Sequence, residues 1–308
     1  MSRSANDLRA TERRNPRSVD IDRSEPLQLV DLFVAEDALV PAAVGRARET
    51  IAKAIGLVEA AFRSGGRLLY VGAGTSGRLG VLDASECPPT FGTPREMVQG
   101  IIAGGPPALT ASVEGAEDSS DAGAAALDER AISPLDVVVG IAASGTTPFV
   151  HGALQHASAV GARTVFLTCA APPAAMLEIC DEVIHVDVGP ELVTGSTRLK
   201  AGTATKMVLN LLTTGAMVRI GKTYGNLMVD LQVTNAKLRD RGERIIMEVL
   251  GTTRERARDG IARANGSVRT AIVMLHQDLD RDDAEGRLAA VDRRLRAIIG
   301  PPPPVDAP

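Results

Sequence analysis

The chain has 308 residues, 44% hydrophobic and only 2% aromatic with no tryptophan, and a formal net charge of −4. That suffices for one large α/β domain and a smaller helical piece, while so few aromatics and an acidic balance exclude a base-stacking surface or a polyanion as main partner. No apolar run reaches the length of a membrane helix, the first residues are charged rather than signal-like, and Cys87, Cys169, Cys180 and the four histidines lack ligand spacing, so the expectation is a cytoplasmic protein with free thiols, no metal and no cofactor.

Residues 1–26 are rich in Arg, Asp, Ser and Pro and predict an extended or partly disordered arm. Pro26 opens an apolar-periodic stretch from Leu27 to Val40. Pro41 opens a second through Ile51, Ile55, Val58 and Phe62, which stops at Gly65-Gly66. Short apolar runs then alternate with helical patterns. Strands are predicted at 67–71, 98–103, 136–142, 163–168 and 182–187, with helices near 77–84, 119–131, 147–160 and 173–180. Near-continuous runs such as Val137-Val-Val-Gly-Ile141 suit strands covered on both faces, and the alternation predicts a doubly wound parallel sheet.

After Gly195 the pattern is helical. One segment carries Lys206, Met207, Leu209, Leu211 and Leu212 to about residue 220, and another spans about 227–250. Three shorter helices follow at 253–264, 268–276 and 283–298. The expected division is a polar arm (1–26), an α/β domain with its N-terminal helices (27–225), a helical region (226–299) and a proline-rich tail (300–308) that cannot form a core.

Two loops carry chemistry. Gly72-Ala-Gly-Thr-Ser-Gly-Arg-Leu-Gly80 follows the first strand, so its glycines allow a tight turn while Thr75 and Ser76 offer hydroxyls where a helix begins. Ala143-Ser-Gly-Thr-Thr-Pro-Phe149 follows the strand at 136–142 and sets Ser144, Thr146 and Thr147 beside Gly145. One such loop reads equally well as an ordinary N-cap turn. Two of them in one parallel sheet, where ligands bind beyond the carboxyl ends of strands, point to a shared sugar phosphate. A dinucleotide site is rejected because the next strand ends Ile101-Ile-Ala-Gly-Gly105, without the acid a ribose needs. No Gly-Lys-Ser/Thr follows either loop, which excludes a P-loop. Glu86, in Asp83-Ala-Ser-Glu-Cys-Pro-Pro89, and Glu117, in Val113-Glu-Gly-Ala-Glu-Asp118, both lie next to breaks where a side chain can turn into a cleft. A solvated acidic surface or an N-cap cluster accounts for either one taken alone.

Together with Thr11-Glu-Arg-Arg-Asn-Pro16, Asp20-Ile-Asp22, Ala142-Ala-Ser-Gly145, Val193-Thr-Gly-Ser-Thr-Arg-Leu-Lys-Ala-Gly-Thr203 and Gly225-Asn-Leu-Met-Val-Asp230, these motifs resemble the N-acetylmuramic acid 6-phosphate etherases. The similarity runs in order from about residue 11 to about 298. It implies an SIS-type (sugar isomerase), flavodoxin-like, five-stranded parallel sheet with flanking helices, plus a small C-terminal three-helix region. It also implies a cytoplasmic homodimer that needs no metal or nucleotide. The implied reaction converts N-acetylmuramic acid 6-phosphate and water into N-acetylglucosamine 6-phosphate and D-lactate during cell-wall recycling.

The resemblance maps the acid for the departing oxygen to Glu86 and a second catalytic carboxylate to Glu117. It assigns the sugar phosphate to Thr75, Ser76, Gly77, Ser144, Gly145, Thr146 and Thr147, with Ser196 from the Val193–Thr203 motif. One departure stands out: the family usually has Arg, then Thr-Pro-Tyr, where this chain reads Thr146-Thr-Pro-Phe149, so a cation beside the phosphate loop is lost. Two rivals share the same loops. One is a sugar-phosphate aldose–ketose isomerase. The other is a non-catalytic regulator of a kinase, because the vertebrate glucokinase regulatory protein resembles these etherases near Thr194-Gly-Ser-Thr-Arg198. Two carboxylates disfavour the regulator, since a pure binder needs no acid–base pair.

Overall fold

In the computed structural model, residues 10–304 other than 232 and 234 are described. They divide into one unit built from Met1–Ser85 and Arg95–Thr214, and another built from Glu86–Pro94 and Gly215–Pro308.

The first unit opens with helices α1 (Pro26–Asp37), α2 (Val40–Arg46) and α3 (Arg48–Arg63). The sheet region then runs β1 (Leu68–Gly72), α4 (Gly74–Phe91), β2 (Val98–Ile102), α5 (Ser120–Asp128), β3 (Val137–Ile141), α6 (Pro148–Val160), β4 (Arg163–Thr168), α7 (Ala174–Ile179) and β5 (Glu182–His185). Helix α8 (Lys200–Arg219) follows. All five strands are parallel, in the order β2-β1-β3-β4-β5. The apolar runs have the burial expected of strands covered on both faces: every residue of β1 and β3 is buried. Phe149, Val150 and Leu154 of α6 pack with Leu69, Val138 and Phe166 in one cluster.

The chain steps outward from β1 to β2, then crosses back to place β3 on the other side of β1. Strand order therefore reverses between β1 and β3, the position at which open parallel sheets bind ligands. Gly72 pairs with Ile102 on one side and Ile141 on the other, so the loops after β1 and β3 leave the sheet at one level. At the opposite end of these strands Asp136 accepts hydrogen bonds from Arg67 N (2.8 Å), Arg67 Nη2 (2.7 Å) and Ser133 N (2.9 Å). Burial pushes this carboxyl up, but the bonds from Arg67 and Ser133 outweigh it and hold Asp136 below its ordinary value.

The arm differs from its expectation. From Ala10 to Arg23 it forms three short 3-10 turns, with Thr11, Asn15 and Ser18 buried. Its polar side chains find partners that no local pattern announces. Asn15 Nδ2 donates to Glu36 Oε2 (2.8 Å) and to Pro190 O (3.1 Å), Ser18 Oγ donates to Leu192 O (2.7 Å), and Thr11 O accepts from Gly195 N (3.1 Å). Residues 1–9 lie outside the described part.

Helix α4 is also longer than predicted. It continues through Pro88 and Pro89 to Phe91, because the two prolines fall in its last turn and withhold N–H groups only from carbonyls near the end. Gly92, at φ +59°, then closes the helix with its N–H on Pro88 O (2.9 Å). The motif holding Glu86 is therefore helical, not a break.

The second unit adds α9 (Ala236–Leu250), α10 (Arg254–Arg263), α11 (Val268–Gln277), α12 (Arg281–Ala290) and α13 (Leu295–Ile299) around Ile246, Ile272 and Leu288. The helix expected from 227 starts only at Ala236, where the Asn235 side chain accepts from Leu238 N (2.9 Å). The helix expected over 283–298 is split in two by the left-handed residues Asp292 and Arg293. In the expected tail, Gly300 O accepts from the Tyr224 hydroxyl (3.1 Å), and residues 305–308 lie outside the described part. No helix among the described residues is long and apolar enough to cross a membrane.

Candidate active site

The loop after β1 turns into α4 at Gly74, whose φ of +51° suits glycine. Thr75 and Ser76 are half-buried in the first turn, where backbone N–H groups lack helical partners and the positive end of the helix dipole lies. A Cβ built on Gly77 would come within 2.6 Å of Ile102 Cγ1, and one on Gly80 within 2.8 Å of Tyr70 Cβ. Those two glycines let α4 lie directly on the sheet. Gly77 N also donates to Ala73 O (3.2 Å).

After β3, Gly145 takes φ +81° and donates its N–H to Ala142 O (2.9 Å). Its carbonyl meets His151 Nε2 at 2.9 Å, and the imidazole packs edge-on against Phe166 at 5.9 Å. Gly145 thus shapes the loop with both its backbone groups engaged. His151 escaped the sequence reading, which weighed it only as a metal ligand. Its place one turn into α6, six residues past Gly145, was the available signal. The Ser144 and Thr146 hydroxyls lie 3.3 Å apart, and Thr147 occupies the N-cap of α6 without a side-chain capping bond.

The segment with Ser196 leads into α8. A Cβ built on Gly202 would lie 3.5 Å from Thr197 O and 3.7 Å from Thr75 Cγ2, which sets this segment alongside the first loop. The start of α8 itself is occupied: the buried Glu191 carboxylate accepts from Lys200 N (3.0 Å) and Ala201 N (2.9 Å). Burial pushes Glu191 up despite those bonds. The Lys200 ammonium meets Glu36 Oε2 at 2.6 Å, with both side chains buried, and Arg17 adds a second cation to Glu36 at 2.8 Å.

Beside Gly74 lies a cavity of about 200 Å³ lined by Ala73, Gly74, Arg78, Glu114 and Glu117 among others. Arg78 fastens the segment bearing the two acids: its Nε donates to Leu109 O (3.1 Å) and its Nη2 to Ala111 O (3.0 Å). Glu117 is exposed on a single 3-10 turn. One chain therefore brings Glu117 to the first loop. Glu86, also exposed, does not line this cavity. It sits twelve residues past Gly74 in the sequence, in the stretch of α4 that belongs to the second unit. One turn before it, Asp83 accepts from the Tyr70 hydroxyl (3.0 Å) and from Thr213 Oγ1 (3.3 Å). Burial raises the Asp83 carboxyl above its ordinary value.

A parallel sheet in this order, with hydroxyl-bearing loops flanking its switch point, is the framework of an SIS-domain protein, and residues 50–158 match the glucokinase regulatory protein N-terminal SIS domain. The chain is 51% identical over 292 residues to an N-acetylmuramic acid 6-phosphate etherase of Rhodopirellula baltica, covering 95% of this chain and 96% of that one. It is 58% identical over 264 residues to the enzyme of that name from Gloeobacter violaceus, covering 86% of each. A solved structure of phosphoheptose isomerase GmhA from Neisseria gonorrhoeae is similar at 17% identity and a TM-score of 0.46, over 61% of this chain and 98% of that one. The chain belongs to the N-acetylmuramic acid 6-phosphate etherase family, and it is an enzyme.

Proposed function

We propose that this enzyme cleaves the lactyl ether of N-acetylmuramic acid 6-phosphate with water, giving N-acetylglucosamine 6-phosphate and D-lactate. The supporting observation is the cavity that joins the first hydroxyl loop to Glu117 at the β1/β3 switch point. The phosphate rests on Thr75, Ser76, Ser144, Thr146 and Thr147, with Ser196 on the adjacent segment. Helix N-termini neutralise it where the family more often supplies an arginine. Gly77 and Gly145 hold the loops in shape.

A lactyl ether is a poor leaving group, but in the open-chain aldehyde the C1 carbonyl acidifies C2–H. Glu117, as base, takes the C2 proton. The C3–O bond then breaks as Glu86, as acid, protonates the departing lactate oxygen. Water adds at C3 of the unsaturated aldehyde, giving up one proton to the carboxylate that protonated lactate while C2 is reprotonated, and the sugar hydroxyl is restored. Two carboxylates in different surroundings suit the two roles.

We take the enzyme to be a homodimer in which the Glu86 that completes a site comes from a second copy. A cytoplasmic setting agrees with the free thiols of Cys169 and Cys180.

D-lactate release from the phosphorylated sugar tests the reaction. Glu117→Gln should lower it by about 10²–10⁴. Isomerisation of sugar phosphates without lactate release would replace this reading with the isomerase. Mixing Glu86→Gln with Glu117→Gln protein tests the shared site. Half the dimers would be hybrid, each with one intact site, so about a quarter of the activity should return. No recovery would place both acids on one chain.

A further inference from the structure

We infer that the cavity around Arg78 is the subsite for the lactyl group, and that the Arg78 guanidinium pairs with its carboxylate. The inference rests on the etherase reading, since it assigns one end of that substrate. The substrate carries two anions: a phosphate on C6 and a carboxylate on the group attached at C3. The hydroxyl loops and helix starts offer uncharged donors, which suit the phosphate. A carboxylate buried beside a protein wall calls for a cation, and arginine presents paired N–H groups in the matching planar geometry.

Arg78 is the cation among the residues lining the cavity. Its Nε and Nη2 are spent on Leu109 O and Ala111 O, which fixes the plane of the guanidinium. Its Nη1 makes no hydrogen bond among the described residues. Ala103 and Ala108, small, apolar and buried, line the same space, as the lactyl methyl requires. Glu114, which also lines the cavity, is engaged by the Ser112 hydroxyl at 2.7 Å. Glu117 also lines the cavity, and C2, from which it takes the proton, adjoins the C3 that bears the ether. Cation, small apolar residues and base thus line one cavity, which suits a substrate end that carries a carboxylate, a methyl and a nearby C2–H.

The test compares N-acetylmuramic acid 6-phosphate with its lactyl amide, and with N-acetylglucosamine 6-phosphate as an inhibitor that lacks the lactyl group. The wild-type enzyme should favour the acid over the amide about ten-fold, the worth of one charge-assisted hydrogen bond. Arg78→Gln should erase that preference while changing inhibition by N-acetylglucosamine 6-phosphate less than about two-fold. If Arg78→Gln weakens both ligands equally, Arg78 holds the loop or the phosphate and the subsite is overturned. D-lactate released equally from acid and amide by the wild-type enzyme overturns it without any variant. No D-lactate from either form overturns the etherase reading itself, and this inference with it.

Discussion

Helices α6 and α8 of the first unit finish their opening turns in different ways. At α8 the protein supplies everything: the Glu191 carboxylate takes the N–H groups of Lys200 and Ala201, and the Lys200 side chain is locked onto buried Glu36. At α6 the N-cap is Thr147, a residue type suited to capping, yet its side chain makes no cap bond. Elsewhere such residues do cap. Ser119, Asn235, Thr253, Ser267 and Asp280 each accept from a backbone N–H of the helix they precede. The contrast separates helix starts bonded by their own polar cap side chains from one whose threonine cap makes no such bond. It also lies where strand order reverses, which is why it bears on function.

The closed end should break hardest. Lys200→Met leaves the Glu36 charge buried without its ammonium and should cost about 3–5 kcal/mol in urea unfolding. A cost under about 1 kcal/mol would mean that Arg17 and Asn15 suffice for Glu36.

The same pair sharpens with pH. Burial alone would raise the Glu36 carboxyl, but bonds from Lys200, Asn15 and Arg17 outweigh it and hold it below its ordinary 4.5. Its contribution is then complete above pH 4.5 and is lost as pH falls from there through the lowered folded value. The stability gap between the wild type and Glu36→Gln should therefore shrink below pH 4.5 and stay level above it.

The open end should respond in binding rather than in stability. Ser144→Ala or Thr147→Ala should raise KM for the phosphorylated sugar about ten-fold, as loss of a hydrogen bond to a charged group does. Melting of the two variants should stay within about 0.5 kcal/mol of the parent. The smallest effect is the converse one: Ser119→Ala or Ser267→Ala should lose about 1 kcal/mol of stability with KM unchanged. A Thr147→Ala protein that loses stability like these two, with KM intact, would erase the contrast.

Much of this was legible in the residues. Val137-Val-Val-Gly-Ile141 could hardly be anything but a covered strand, and glycine beside Ser and Thr after a strand announces a helix start. Glu117 could be singled out because a break lets its side chain turn. What stayed hidden needed distance or a broken local rule. The Pro88-Pro89 pair reads as a helix stop, yet α4 absorbs it in its last turn. The contact of Arg78 with Leu109 and Ala111 depends on how a loop folds back, not on any spacing. The polar composition of the arm said nothing of partners on the far side of the sequence.

That last feature has a consequence in time. Asn15 and Ser18 dock on residues 175 and 174 positions downstream, and Glu36 waits 164 positions for Lys200. At roughly 5–20 residues per second, a ribosome needs roughly 10–35 s to reach them. Throughout that interval Asn15, Ser18 and Glu36 wait without these partners. The stretch that holds these three residues thus locks late, and it cannot do so before the start of α8 has left the exit tunnel.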